Sequence, residues 1–290
     1  MVAKEKARIS VVIPARNEED AVGEVVRGVL TAVDAIEVIV VDDGSEDATA
    51  ERASEAGAQV LRNPYNVGNG ASVRRGALAT SGDIIVFLDG DNQHPPGEIP
   101  RLLGELGEYD MVVGARTRNS NTSTVRNVGN YFLNRVARWI SGQRVDDLTS
   151  GFRAIKRKRL MEFIHLFPRG YSYPTTITLA IMMAGGFVHY VPLDTIKRRK
   201  TGKSEISPVK DFFKFIAIII RIIVLFSPQK IFAPLGIFLF LLSTVVSGFQ
   251  LWSTGGIQSA GLALFLSSVY IVCFGILADQ LSLLRRQRHR

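Results

Sequence analysis

Cysteine is nearly absent. Cys273 stands alone in an apolar stretch, where a thiol behaves as a small hydrophobe, so neither a disulfide nor a cysteine-ligated metal site is available. Histidine is scarce as well, with four in 290 residues. His165 and His189 have no partner at metal-ligand spacing, and His94, ahead of two prolines, reads as a turn residue. Residues 1–7 carry charge without an apolar core behind them. A secretory signal peptide is therefore not expected, and the body of the chain is expected in the cytoplasm. Gly68-Asn69-Gly70 opens a helix but lacks the third glycine of a dinucleotide-binding turn, which argues against an oxidoreductase. No repeat of fixed period is present. The longest absence is of charge: residues 231–278 contain no Asp, Glu, Lys or Arg.

The charges lie elsewhere, 35 Lys and Arg against 27 Asp and Glu, for a formal net charge of +8. A basic balance fits nucleic acid, an anionic membrane or phosphorylated substrates. The apolar C-terminal stretch selects the membrane. No helix rich in base-reading side chains and no aromatic-interleaved basic strand is present, so a nucleic-acid partner is not expected.

Residues 9–13 and 37–41 are short β-branched apolar runs, and 21–33 between them has helical spacing, which makes a βαβ unit. The alternation continues with helices over 48–56 and 68–80 and strands over 59–61, 83–88 and 111–113, followed by a helix over 129–140. The pattern predicts an α/β fold with a doubly wound, mainly parallel sheet. In such sheets ligands bind beyond the carboxyl ends of the strands. Chemistry is therefore sought after Ile13, Val41 and Leu88.

Residues 212–226 are very apolar but short for a span, and Lys210, Lys214 and Arg221 recur at spacings of four and seven along one face, as in a helix lying in the membrane interface. Ser227-Pro228 breaks it. Two uncharged segments follow, about 231–251 and 259–278, each near the roughly 20 residues that cross a bilayer. Lys230 precedes the first, and Arg285, Arg286, Arg288 and Arg290 follow the second, so both ends of this hairpin are expected in the cytoplasm. The expected organisation is a catalytic domain over 1–206, an interfacial helix over 207–228 and a transmembrane hairpin over 229–290. Two spans make a thin membrane core, so a homo-oligomer is a further expectation.

In Phe87-Leu88-Asp89-Gly90-Asp91-Asn92-Gln93 an apolar strand runs into two carboxylates one residue apart. On extended chain that spacing aims both to one face. Carboxylates held so close repel unless a cation joins them, and hard oxygen donors suit Mg²⁺ or Mn²⁺, with Gln93 as a third oxygen. Such an ion neutralises a diphosphate, which is the leaving group of a nucleotide-sugar. The same motif also reads as an ordinary acidic turn. Pro14-Ala15-Arg16-Asn17-Glu18 and Val40-Val41-Asp42-Asp43-Gly44-Ser45 follow two earlier strands. Asp42 can accept from the N–H edge of a nucleobase, Pro14 stiffens its loop, and Glu18 can hold ribose or base. Alternatively, Ser45 or Asp47 simply caps the next helix.

Over about residues 8–206 these motifs resemble the family 2 glycosyltransferases of the GT-A fold, particularly the polyprenyl- and dolichol-phosphate sugar synthases. The resemblance implies a donor-binding set of Pro14, Arg16, Glu18, Val40, Asp42 and Gly90, with Asp89, Asp91 and Gln93 on the metal. Asp147-Leu148-Thr149-Ser150-Gly151-Phe152-Arg153 is similar to the family's Asp-x-Thr-Ser-Gly-Phe-Arg segment. Arg198 and Ser204 match an Arg-x5-Ser motif that closes over the donor diphosphate. It further implies inversion at the anomeric carbon, and a lipid phosphate acceptor held by arginines of the 116–127 stretch: Arg116 and Arg126, with Arg118 nearby. A phosphate monoester is already anionic at neutral pH, its second pKa being about 6, so it needs positioning and not a base. Two departures stand out. Asn130 replaces a family serine, and Pro174-Thr175-Thr176 falls where an acidic residue is usual. Arg138-Trp139 matches the end of the Gln-x-x-Arg-Trp motif of processive polysaccharide synthases but precedes the Thr-Ser-Gly segment, which argues against a polymerase. The rival readings are a hydroxyl acceptor with Asp147 as base, and a non-catalytic membrane adaptor.

Overall fold

In a computed structural model, residues 7–116, 124–170, 172–193, 208–256 and 259–287 are described, with side chains left aside at 124–130, 208–214, 254 and 285–287. The chain divides into two compact units, Met1–Ile218 and Ile219–Arg290.

The first unit is built on β1 (Ile9–Ala15), β2 (Glu37–Asp42), β3 (Gln59–Arg62), β4 (Ile84–Phe87), β5 (Met111–Arg116), β6 (Arg153–Lys156) and β7 (Val188–Leu193). These form one seven-stranded sheet in the order β3-β2-β1-β4-β6-β5-β7. Every neighbouring pair is parallel except those made by β6, which runs antiparallel between β4 and β5. Helices α1 (Val22–Ala32), α2 (Thr49–Glu55), α3 (Asn69–Ala79), α4 (Ile99–Leu106), α5 (Thr124–Ser141), α6 (Arg157–Phe163) and α7 (Tyr173–Met183) connect the strands.

The predicted βαβ unit is present because its pattern has a physical cause. In α1, Val22, Val25, Val26 and Val29 recur at helical spacing and all are fully buried on the sheet. Each such side chain contributes about 1.5–3 kcal/mol by leaving water. The chain visits β1, β2 and β3 outward, then returns to set β4 on the other side of β1. The crevice at the carboxyl ends of β1 and β4 is thus the topological switch point of the sheet. The antiparallel course of β6 has a further consequence. In register, Arg153 lies opposite both Phe87 of β4 and Val113 of β5. The segment that enters β6, residues 147–152, therefore arrives at the same edge as the ends of β4 and β5.

Helix α8 (Pro208–Phe226) crosses the boundary between the units. Within the second unit its buried residues are Ile219, Ile222, Ile223 and Phe226, while Arg221 is exposed, as an amphipathic helix requires. Helices α9 (Gln229–Thr254) and α10 (Ser259–Gln287) form a hairpin. Over Gln229–Ser253 and Ser259–Leu284 both are long and apolar enough to cross a membrane. Their large side chains point outward: Phe238, Val245, Phe249, Tyr270, Phe274 and Leu281 are among the exposed ones. Hydroxyls satisfy themselves on the backbone, Ser243 Oγ donating to Gly261 O at 2.9 Å and Ser282 Oγ to Leu225 O at 2.9 Å.

Candidate active site

Three loops meet at the carboxyl edge of the sheet. After β1 the chain turns at Asn17, which has positive φ, and its N–H donates to Ser45 Oγ at 3.0 Å while its Oδ1 accepts from the Glu46 N–H at 3.0 Å. The Glu18 N–H donates to Thr49 Oγ1 at 2.8 Å. The Arg16–Glu18 turn is thus clamped onto the loop after β2. Ser45 serves that clamp and not the capping of α2, while Asp47 Oδ1 accepts from the Thr49 N–H at 3.0 Å. Gly44 has φ of +69°, and a Cβ there would stand 2.6 Å from the Tyr65 carbonyl carbon, so only glycine fits.

Asp42 ends β2 and is fully buried. Its Oδ1 accepts from the Ser45 N–H at 2.9 Å, and its Oδ2 lies 3.2 Å from Arg62 Nε in an ion pair that lacks hydrogen-bond geometry. A buried carboxylate oxygen with unused acceptor capacity is costly unless something supplies a donor. Arg62 also lines an open cavity of about 630 Å³, together with Arg16, Ser45 and Tyr65. The neighbouring Asp43 ties the loop together, accepting from Asn63 Nδ2, the Val67 N–H and the Gly68 N–H, each at 2.9 Å. Val40 faces the hydrophobic core in mid-strand, in register with Ile13 and Val60, and supports the loop from beneath.

Strand β4 ends at Phe87, two residues before Asp89, so the paired carboxylates sit in a turn and not on extended chain as the spacing suggested. Asn92 has positive φ, and Asp91 Oδ1 accepts from the Gln93 N–H at 3.1 Å, which closes the turn. Asp89, Asp91 and Gln93 are half-buried. A Cβ on Gly90 would touch Ala15 Cβ at 3.1 Å and Pro14 O at 3.3 Å, which puts this turn directly against the end of β1. Among the described residues no three His, Cys, Asp or Glu side chains gather as a metal cage. Two carboxylates suffice for Mg²⁺ or Mn²⁺ of the kind that keeps water and takes substrate phosphate oxygens, so the residues present fit such an ion.

The loop entering β6 forms the third wall. Gly151 lies against Asp89: a Cβ there would stand 2.6 Å from Asp89 Oδ2 and 3.1 Å from Oδ1. Ser150 Oγ donates to Gly114 O at 2.6 Å, Tyr173 Oη to Gly151 O at 3.4 Å, and Asn134 Oδ1 accepts from the Leu148 N–H at 3.1 Å. Arg153 is fully buried and has no carboxylate within ion-pairing distance among the described residues. Its Nη1 donates to Pro174 O and Thr178 Oγ1, both at 3.0 Å, and its Nη2 to Ser150 O, while its guanidinium stands 5.9 Å from the Tyr173 ring centre. Burial lowers its pKa, against which Tyr173, Tyr190, Asp147 and Asp89 act. Tyr173 is raised, first by burial and then by Asp89.

Arg116 closes β5 and grips Asp147 bidentately, Nε to Oδ2 at 2.7 Å and Nη2 to Oδ1 at 2.9 Å, with Thr149 Oγ1 also accepting from Nη2. Burial opposes the charge on Asp147, but the Arg116 charge and hydrogen bonds outweigh it and hold the carboxyl below its usual range. Arg116 itself is raised by Asp147 against burial. Its Nη1 makes no hydrogen bond among the described residues. The expected turn residue His94 is instead buried and stacked on Phe152, ring centres 5.4 Å apart. Burial, then the Arg116 charge, lower its pKa to about 4, so it is neutral at physiological pH.

The structure therefore brings Pro14, Arg16, Glu18, Asp42, Asp89, Gly90, Asp91, Gln93 and Arg116 to one sheet edge. Arg118, Arg198, Ser204 and the basic run at 197–203 lie outside the described residues, as do the side chains of Arg126 and Asn130. The sequence reading missed the Asp147–Arg116 clamp and the buried Arg153. The only signal for either was membership of Arg153 and Asp147 in one seven-residue motif.

The Glycosyl transferase family 2 model matches residues 10–163, and the GtrB C-terminal hairpin model matches 227–284. Among solved structures the chain is similar to glucosyl-3-phosphoglycerate synthase from Mycobacterium tuberculosis. The complex with Mn²⁺, UDP-glucose and phosphoglyceric acid superposes with a TM-score of 0.62 at 27% identity, over 76% of this chain and 80% of that one. The complex with Mg²⁺ and UDP gives 0.60 at 27% identity, over 76% and 80%. These relatives bind Mn²⁺ or Mg²⁺ together with the nucleotide, and share the GT-A fold. With a family match over residues 10–163, more than half its length, the chain belongs to glycosyl transferase family 2.

Proposed function

We propose that this chain is an inverting membrane glycosyltransferase that moves one sugar from a UDP- or GDP-sugar to a polyprenyl or dolichyl phosphate. The observation that carries this reading is the Arg116–Asp147 clamp beside Asp89: it sets a cation in the site and ties up Asp147, the carboxylate that a hydroxyl acceptor would need as its base. Asp147 is held ionised by Arg116, and His94 is neutral and enclosed, so neither is suited to take a proton from a sugar hydroxyl near pH 7. A phosphate monoester needs none.

In this reading Asp42 accepts from the base N–H edge, displacing the half-exposed Arg62, while Arg16 and Glu18 border ribose and phosphate. Asp89, Asp91 and Gln93 hold the Mg²⁺ or Mn²⁺, which when bound neutralises the donor diphosphate as it leaves. The main chain of Gly151 keeps Asp89 from turning away. Nη1 of Arg116, with Arg126, holds the acceptor phosphate oxygen in line with the anomeric carbon, and Arg198 and Ser204 close over the diphosphate. Residues 207–228 lie in the interface and 229–290 cross the bilayer with both ends cytoplasmic, self-associating through the hairpin.

A second reading, a small phosphorylated acid as acceptor, is favoured by the phosphoglyceric acid bound in the solved relatives. Both are tested by transfer of label from a panel of UDP- and GDP-sugars to short-chain polyprenyl phosphate or to 3-phosphoglycerate, with Mn²⁺ or EDTA, using detergent-purified protein. Metal-dependent labelled lipid, lost in Asp91→Ala, is expected. Label on phosphoglycerate alone would replace the first reading with the second.

A further inference from the structure

The loop that joins β3 to α3 holds an aromatic ring out of the core on a fixed main chain. Asn63, at its start, is buried: its Nδ2 donates to Asp43 Oδ1 and to Ser72 Oγ, both at 2.9 Å, and its Oδ1 accepts from Arg75 Nη1. At its end the Gly68 N–H donates to Asp43 Oδ2 at 2.9 Å and to Asn66 Oδ1 at 3.0 Å. Between these anchors Pro64 fixes φ. The main chain of Tyr65 lies against Gly44, where a Cβ would stand 2.6 Å from the Tyr65 carbonyl carbon and 2.9 Å from its Cα. The backbone is thus pinned at both ends and in the middle. The side chain is not. Tyr65 is 68% exposed, and among the described residues its ring has no aromatic or cationic partner and its hydroxyl no hydrogen bond. A large ring held in this way contributes little to the core, and its flat face stays open to a ligand.

Its place in the fold says which ligand. Leu30, Ile36, Leu78 and Phe187 are also exposed on the first unit, but among its described residues Tyr65 is the only exposed large apolar side chain that lines the cavity of about 630 Å³. Arg62, the ion-pair partner of the buried Asp42, lines the same cavity. An open aromatic face and a buried carboxylate therefore border one space. A planar heterocycle that carries an N–H edge uses both. We infer that Tyr65 is the platform on which the nucleobase of the donor stacks while Asp42 accepts from its edge. The inference rests on reading this end of the sheet as the nucleotide-sugar site. Stacking tolerates any base, because every base has a π-face, so Tyr65 supplies affinity and Asp42 the choice of edge. The pinned backbone matters here as well, since a platform ordered beforehand costs little entropy when the base arrives.

The test is calorimetric titration of the full chain in detergent with UDP, GDP and inorganic pyrophosphate, each in Mn²⁺, pyrophosphate being the ligand without a base. Tyr65→Ala is expected to weaken the tighter-binding nucleotide by about 5- to 100-fold, the range of one base–aromatic stack, and to leave pyrophosphate unchanged. Tyr65→Phe keeps the ring and should hold nucleotide affinity within about twofold of wild type. If Tyr65→Ala binds nucleotide as wild type does while Asp42→Asn binds it more weakly, the stacking inference fails and the nucleotide site stands. If Tyr65→Phe is as weak as Tyr65→Ala, the hydroxyl and not the ring makes the contact, which overturns it. An equal loss of pyrophosphate in Tyr65→Ala would show that the side chain supports the loop and not the base, which overturns it too. Wild type that binds pyrophosphate but neither UDP nor GDP would remove the donor reading and the inference with it.

Discussion

Gly151→Ala tests whether the loop before β6 sets the position of Asp89. The added methyl would stand 2.6 Å from Asp89 Oδ2, whereas ordinary van der Waals contact begins at 3.4 Å, so carboxylate and loop must part by about 0.8 Å. The loop is the stiffer partner. Ser150 is bonded to Gly114, Gly151 to Tyr173, and the Ser150 carbonyl to the buried Arg153, so the Asp89 side chain is expected to move. Misplacement of a reacting group by about 1 Å costs up to about a hundredfold. A fall in kcat/KM of about 10- to 100-fold is therefore expected, or about 1.4–2.7 kcal/mol of transition-state stabilisation.

The assay is sugar transfer at varied Mn²⁺ with the donor that the panel identifies, alongside calorimetric titration of the free nucleotide and a thermal melt. The half-saturating Mn²⁺ concentration should rise with the loss of activity. Nucleotide affinity in EDTA and the melting temperature should stay close to wild type, because Asp42 and the core are untouched. Unchanged Mn²⁺ dependence and unchanged kcat/KM would refute the view that Gly151 positions Asp89.

Asp42→Asn keeps an acceptor for the Ser45 N–H but removes the charge that meets Arg62 and a base edge, so UDP or GDP affinity should weaken by about 1–3 kcal/mol, read by calorimetry. Asp147→Asn strands the half-buried Arg116 and should cost about 3–5 kcal/mol in chemical denaturation at neutral pH. Because Arg116 lowers the Asp147 pKa, the contribution of this carboxylate is full above its ordinary value of about 3.9 and is lost as pH falls through the lowered folded value. The stability gap between wild type and Asp147→Asn should therefore be level from about pH 7 to pH 5 and close only below about pH 4. Arg153→Met leaves the Ser150 carbonyl without its donor, while Pro174 O keeps the Thr178 hydroxyl, and should cost about 1–3 kcal/mol; an unchanged melt would show that water replaces the guanidinium.

The parallel half of the sheet was legible because its residues obey a repeating pattern: the valines of α1 recur at helical spacing, and β1 and β2 are β-branched runs closed by polar turns. The places to search for chemistry followed from that topology alone. What stayed hidden has no pattern to show. Every residue of α7 is buried, so it has no polar face and no period. Strand β6 is only four residues long and opens on Arg153, a residue that is almost never fully buried without a partner. Its partners are the Thr178 hydroxyl and two main-chain carbonyls, and the latter are invisible in a sequence because every residue has one. The Arg116–Asp147 clamp is hidden for a different reason: 31 residues separate its members, and only the antiparallel insertion of β6 brings them together. A reading of strand ends therefore finds the carboxylates at the carboxyl edge of the sheet, since those sit where the apolar pattern stops. It misses the groups that hold them in place, since those are chosen by topology. The distinction bears on Arg116, which the motif reading assigned wholly to the acceptor. Two of its three guanidinium nitrogens bind Asp147, so it is first a strut of the site wall, and among the described residues only Nη1 makes no hydrogen bond.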